Sequence, residues 1–318
     1  MSQEGGSKRA ILAAFLANLG IAVLKFVGFL ITGAASMLAE SIHSLADTGN
    51  QGLLILGGRG SRRAPTPEHP FGFGQERYFA AFLVAVVLFT LGSLFALFEG
   101  AEKLLQPHEL ENPPVAIAIL LGAIALESWS LRTAAMEALK IRGNRSWWTF
   151  IRRTKNPELP VVLLEDFGAL IGLTFALVGI GLAVLTGNPR FDALGSVAIG
   201  LLLGAIAILV GTEMRSLLIG EAASGLVVTA IREGLEGTEG VRRLIHLRTL
   251  HLGPEELLVA AKVELEPSFS FAQVAETIDR AEARVRDAVP SAHVIYLEPD
   301  VYRPEVATAP PEEAGADR

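Results

Sequence analysis

Six apolar runs, at 10–32, 37–58, 77–105, 113–140, 159–186 and 191–219, constrain this chain more than any other feature. Each is long enough to cross about 30 Å of hydrocarbon at about 1.5 Å per helical residue. With 51% hydrophobic residues in 318, the pattern is that of a polytopic membrane protein. The first run follows Lys8 and Arg9 like a signal peptide. It exceeds the usual apolar core of one, and Asn18 and Lys25 interrupt it, so it reads as a first transmembrane helix.

The second run is the least apolar, because it carries SMLAESIHSLADTGNQGLL at 36–54. On a helix His43 and Asp47 are i,i+4 and share a face, with Glu40 and Gln51 one turn away on either side. A carboxylate in hydrocarbon costs about 3 kcal/mol or more on insertion scales, so such residues face a bundle interior and act there. The fifth run begins PELPVVLLEDFGALIGL, placing Glu165 and Asp166 about 10 Å inside the membrane edge. Asp47 lies about 16 Å from the same edge if its helix ends near Gly58. A cation held by His43, Asp47 and Asp166 would offset the desolvation of these charges.

Charge sets the orientation. Lys8, Arg9, Arg59, Arg62, Arg63, Arg77, Arg142, Arg145, Arg152, Arg153, Lys155 and Arg215 fall on one side, against Lys103 and Arg190 on the other. The positive-inside rule therefore puts both termini in the cytoplasm, and the expected location is the cell membrane. The absence of cysteine excludes disulfides, thiolate zinc sites and iron–sulfur ligation, and disfavours Cu(I).

From about Glu221 the chain becomes charged and soluble in character. A helix over 226–235, a strand over 241–252 and the Gly253-Pro254 turn lead to a half-buried strand in which Val259, Ala261, Val263 and Leu265 alternate with polar residues. Phe271, Val274, Ile278, Ala281 and Val285 mark an amphipathic helix, with Ser270 and Gln273 as a capping box at its start. A short strand over 293–297 completes an α-β-β-α-β order, which suits a two-layer domain with helices on one face of a sheet. The expected organisation is 1–220 as a transmembrane domain, 221–303 as a cytoplasmic domain and 304–318 as a disordered, Pro- and acid-rich tail.

AESIHSLADTGNQ in the second run, EHPFGFGQERYFA leading into the third and LLEDFGALIG in the fifth together resemble the cation diffusion facilitator family. HPFGFGQERY with EGAEKLLQPHELENP is most similar to its zinc transporter-9-like branch. The resemblance spans nearly the whole chain. It implies an α-helical membrane protein of six transmembrane helices followed by a cytoplasmic α+β, ferredoxin-like dimerisation domain. It implies a homodimer that exports a divalent metal, usually Zn²⁺, in exchange for protons. His43 and Asp47 match the family's two ligands from the second helix, and Asp166 matches the last of its H/D-x-x-x-D pair in the fifth. The first of that pair falls on Val162, with Glu165 as a replacement one turn away and Asn50 and Gln51 as further oxygen donors. One imidazole and several oxygens suit Zn²⁺, and they also suit Mn²⁺, Fe²⁺ or Co²⁺.

The expected function is thus proton-coupled efflux of a divalent transition metal, Zn²⁺ first. The alternatives are a Mn²⁺ or Fe²⁺ exporter using the same site, and a non-transporting membrane metal sensor. An enzyme is not expected, since no H-E-x-x-H supports a membrane metallohydrolase. The expected partners are the metal, the bilayer and a second copy of the chain. The basic cluster with Trp147 and Trp148 reads as a segment lying against the inner leaflet and not as a nucleic-acid surface. His69 reads as part of a structural turn. His246, His251 and His293, with Tyr296 and Glu298 at family ligand positions of the last strand, match a regulatory metal site only in part. Lys25 and Glu40 read as a pair or as snorkelling side chains, and Glu99 and Glu127 are ambiguous.

Overall fold

In the computed structural model, which describes residues 3–107 and 112–303, every one of the six apolar runs is helical. They form α1 (Gln3–Thr32), α2 (Ala35–Gly60), α3 (Glu76–Val87) continuing into α4 (Phe95–Leu105), α5 (Pro113–Arg142), α7 (Glu158–Thr186) and α8 (Arg190–Ile219). A short helix, α6 (Trp147–Arg153), lies between α5 and α7. Among the described residues, four helices are long and apolar enough to cross a membrane: Glu76–Leu105, α5, α7 and α8. The described apolar part of α1 is the shorter Asn18–Thr32, and α2 is diluted by its polar stripe. The tail expected at 304–318 lies outside the described residues.

The helix ends follow from local chemistry. Gly33, at φ +64°, provides the left-handed turn that stops α1, and Lys103 on α4 donates to its carbonyl. The first turn of α2 leaves amides without helical partners. Asp192, in the first turn of α8, accepts from both the amide (3.3 Å) and the hydroxyl of Ser36. Between α3 and α4, Leu88–Leu94 is π-helical, and Thr90 donates to the carbonyl of Val86 there.

Two compact units divide the chain: Met1–Gly60 with Glu76–Arg215, and Ser61–Gln75 with Ser216–Arg318. In the first, α1 packs on α2, α5 on α7, and α2 against both α3 and α7. The small residues of α7 and α8 serve several neighbours. A Cβ at Gly168 would meet Ile206 on α8 at 2.5 Å, one at Gly172 would meet Glu40 on α2, and one at Gly200 would meet the Leu97 amide on α4 at 2.9 Å. Phe150 of α6 is buried against Ala138 and Leu163, so Trp147 and Trp148 remain outside.

In the second unit α9 (Gly225–Glu236), β1 (Val241–Gly253), β2 (Glu256–Leu265), α10 (Phe271–Ala288) and β3 (Val294–Pro299) keep the expected order. The sheet runs β1-β2-β3, with β1 and β2 antiparallel and β2 and β3 parallel. Val259, Ala261, Val263 and Leu265 face one core with Ile231, Leu235, Ala281 and Val285. Phe271 departs from the expected stripe. It is exposed, because it opens the first turn of α10, whose buried face begins at Thr277. The capping box forms as the sequence predicts, with Ser270 accepting from the Gln273 amide.

Candidate metal site

The stripe of α2 has a wet chemistry in a dry place. His43 and Asn50 are fully buried and Asp47 nearly so. His43 Nε2 stands 3.5 Å from Asp47 Oδ2. Among the described residues, neither ring nitrogen of His43, nor Asp47 Oδ1, nor Asn50 Oδ1 has a hydrogen-bond partner. Each unsatisfied buried group costs about 1–3 kcal/mol. These four atoms belong to three side chains within two turns of one helix, so the packing leaves a concentrated demand for polar partners there.

Of the helices that bring further acids, α7 packs on α2 and α5 packs on α7. On α7, Glu165 is buried and accepts a 2.5 Å hydrogen bond from Asn50 Nδ2. Asp166 turns the other way and accepts from Ser130 Oγ on α5 at 2.9 Å. Adjacent residues on a helix diverge by about 100°, so one acid addresses α2 and the other α5. Asp47 nonetheless lies within electrostatic reach of Glu165, Glu127, Lys25 and Asp166. Gln51 and Val162 are half-buried. Val162 is i,i+4 to Asp166 and so occupies the same helix face.

The predicted residues are thus on facing helices, but they are not closed around one point. Among the described residues, no three His, Asp or Glu side chains stand close enough to hold an ion as they are. Sequence reasoning left Glu127 undecided and did not find Ser130. Glu127 is buried on α5 and in electrostatic reach of both Asp47 and Asp166. The rule that intramembrane carboxylates act by default would have found it; a serine in an apolar run carries no comparable signal.

Other candidates resolve into structural roles. His69 stacks on Phe73, with ring centres 4.5 Å apart, and Arg63 covers the other ring at 4.6 Å. This is the expected turn. In the sheet, His246 Nε2 accepts from Arg248 Nε at 2.8 Å, and Glu298 accepts from Lys262 at 3.0 Å. Hydrogen bonds to Glu298 and then Asp300 hold the Lys262 ammonium above its ordinary pKa. His246 and the family-position Glu298 are therefore each already paired with a cation, which works against a regulatory metal there. Arg142 and Arg152 cover the exposed rings of Trp147 and Trp148, as a basic-aromatic interfacial segment would.

Comparisons with known proteins agree on one family. The cation efflux transmembrane domain matches residues 11–219, and the cytoplasmic domain of cation efflux proteins matches 223–300. The proton-coupled zinc antiporter SLC30A9, mitochondrial, of Xenopus laevis is 35% identical over 269 residues, which is 84% of this chain and 48% of that protein. Metal tolerance protein C4 of Arabidopsis thaliana is 31% identical over 266 residues, 81% of this chain and 57% of that one. The cation-efflux pump FieF of Pectobacterium atrosepticum is 25% identical over 307 residues, 96% of this chain and 95% of the pump. The chain spans about half the length of the SLC30A9 protein it matches.

Proposed function

We propose, from the premise that this chain belongs to the cation efflux family of multi-pass membrane proteins, that it exchanges protons for a divalent transition metal, Zn²⁺ first. The transported ion is held by His43, Asp47 and Asp166, with Glu165, Asn50 and Gln51 as additional oxygen donors. The observation that carries this reading is the set of unpaired buried atoms on His43 and Asp47, facing a helix that brings two further carboxylates. All six helical runs span the membrane, with both termini on the cytoplasmic side of the cell membrane, and the C-terminal unit pairs with that of a second copy. The SLC30A9 relative is named as a zinc antiporter, which favours zinc over the Mn²⁺ and Fe²⁺ that the same donors suit.

The exchange follows from competition. Carboxylates and imidazole bind a divalent cation only when deprotonated, so each bound metal displaces protons and each proton taken up weakens metal binding. An imidazole, with an ordinary pKa of about 6.5, is sensitive to the pH differences found across membranes. Glu165 and Asp166 each have a hydrogen-bond donor of their own, Asn50 Nδ2 and Ser130 Oγ. A metal held by His43, Asp47 and Asp166 would leave Ser130 and Asn50 as the hydrogen-bond donors that orient the two acids.

Vesicles containing the protein and an internal pH dye test this directly. Adding Zn²⁺ outside is expected to move protons, with Mn²⁺, Fe²⁺ and Co²⁺ competing less well. Zinc entry without any proton movement removes the antiport reading, and a stronger effect of Mn²⁺ or Fe²⁺ reassigns the metal.

A further inference from the structure

Lys25 is the least expected side chain of the membrane unit. It lies on α1, is 1% exposed, and does not snorkel. Its ammonium donates to Glu40 Oε2 at 3.1 Å and to Ser44 Oγ at 2.7 Å, both on α2. Glu40 is itself fully buried. Its other oxygen has no hydrogen-bond partner among the described residues and rests on α7, where a Cβ at Gly172 would come within 2.5 Å of it. Glu40 and Asp47 are i,i+7 and Glu40 and His43 are i,i+3, so this carboxylate lies on the face that carries the metal donors. The Lys25 charge also reaches His43, Asp47 and Glu127.

A buried ion pair is poor value as glue, because desolvation offsets most of its attraction. Its retention beside a cation site calls for a role in that site. We propose that Lys25 is a tethered counter-cation and a positioning residue. It occupies Glu40, keeps that carboxylate from joining His43 and Asp47 around the ion, and so holds metal affinity low enough for the ion to leave. Without it, Glu40 adds an uncompensated negative charge one turn from His43, and the ion is trapped. Ser44, the second acceptor, holds the ammonium against α2 beside Glu40. The inference rests on the metal-site reading above.

Calorimetric titration with Zn²⁺ of the intact protein in lipid nanodiscs, alongside Zn²⁺ uptake by proteoliposomes, tests it. Lys25→Met is expected to bind Zn²⁺ roughly tenfold more tightly, as loss of one nearby positive charge in a poorly screened site should. Its KM and kcat for transport should both fall. Lys25→Arg should stay near wild type, and Lys25→Met with Glu40→Gln should return affinity to near wild type. Glu40→Gln alone, which leaves the ammonium unneutralised, should weaken binding roughly tenfold by the same argument; this variant decides the matter if Lys25→Met does not fold. A purely structural Lys25 would give weaker or unchanged Zn²⁺ binding in Lys25→Met and no change in Glu40→Gln, and either result overturns the proposal. Asp47→Ala in the same titration separates the two readings. If it binds Zn²⁺ like wild type, or wild type binds none, the metal-site reading has failed and the role of Lys25 falls with it. If Asp47→Ala loses binding while Lys25→Met is unchanged, only the Lys25 proposal has failed.

Discussion

Asn50 on α2 reaches Glu165 on α7 with a 2.5 Å hydrogen bond, and both side chains are buried. This bond ties together the two helices proposed to carry the metal donors. It also gives an acid that sits in an apolar bundle a hydrogen-bonding neighbour on α2, while Asn50 Oδ1 has no partner among the described residues.

Removing the donor should therefore cost more than its volume. Asn50→Leu is expected to destabilise the membrane unit by about 1–3 kcal/mol, the penalty for a buried acceptor left unsatisfied. Asn50→Asp should be worse, since it sets two carboxylates against each other. Thermal unfolding in detergent checks the order wild type, Asn50→Leu, Asn50→Asp; an unchanged midpoint in both variants would show that the bond does not hold the helices.

Glycine positions offer a sharper packing test. A Cβ at Gly200 would lie 2.7 Å from Leu97 Cγ and 2.9 Å from the Leu97 amide, whereas Gly181 has nothing within 4 Å. Gly200→Ala should lower stability by about 1–3 kcal/mol, the usual cost of overpacking. Gly181→Ala should be neutral or slightly stabilising, since alanine is the better helix former. Equal unfolding midpoints for the two variants would contradict this account of the α4–α8 contact.

Val162 occupies the helix face of Asp166 where the family places a first ligand. Val162→His is expected to raise the preference for Zn²⁺ over Mn²⁺ in competition uptake, because an added imidazole favours the softer ion. No change in the metal ranking would place Val162 away from the ion.

In the second unit, Asp300 accepts from the Val301 amide at 2.7 Å and from Lys262 at 3.3 Å. The amide, first, and then the ammonium hold its carboxyl below the ordinary 3.8. A lowered acid contributes stability that is present above its unfolded pKa and is lost as pH falls through the folded one. Lys262, raised above 10.5, contributes stability below that value and loses it as pH rises through its own higher one. Hydrogen exchange of the peptide bearing β3 in the intact protein, normalised to intrinsic rates, should stay slow between these limits and speed up below pH 3.8. Asp300→Asn should remove the acid-side change; if the variant and wild type respond alike, another group governs it.

Much of the fold was legible in the sequence because the membrane and the sheet both impose simple periods. The apolar runs gave helix ends within a few residues of Thr32, Gly60, Leu105, Arg142, Thr186 and Ile219, and the alternation from Val259 to Leu265 gave the buried face of β2. The π-helical stretch at Leu88–Leu94 was hidden, since it keeps the composition of an α-helix. So was the exposure of Phe271, because periodicity reports a face without saying where along the helix the core begins. For the site, helical spacing put His43 and Asp47 on one face, and depth set Glu165 and Asp166 opposite them as candidates. It did not show that Glu165 answers to Asn50 and Asp166 to Ser130, as pairing across helices depends on rotation that no single run encodes. The Lys25–Glu40 bond was one of two readings, and only burial decided between them.

Gradient-driven uptake tests whether the α2 donors carry the transported ion. Proteoliposomes with an imposed pH gradient should accumulate Zn²⁺ with wild-type protein. Asp47→Ala and Asp166→Ala should each cut that uptake at least about tenfold, the loss seen even for residues that merely support a metal ligand. Uptake by Asp47→Ala or Asp166→Ala at the wild-type rate would contradict the site, and no gradient-driven movement of any divalent metal by the wild type would contradict the function.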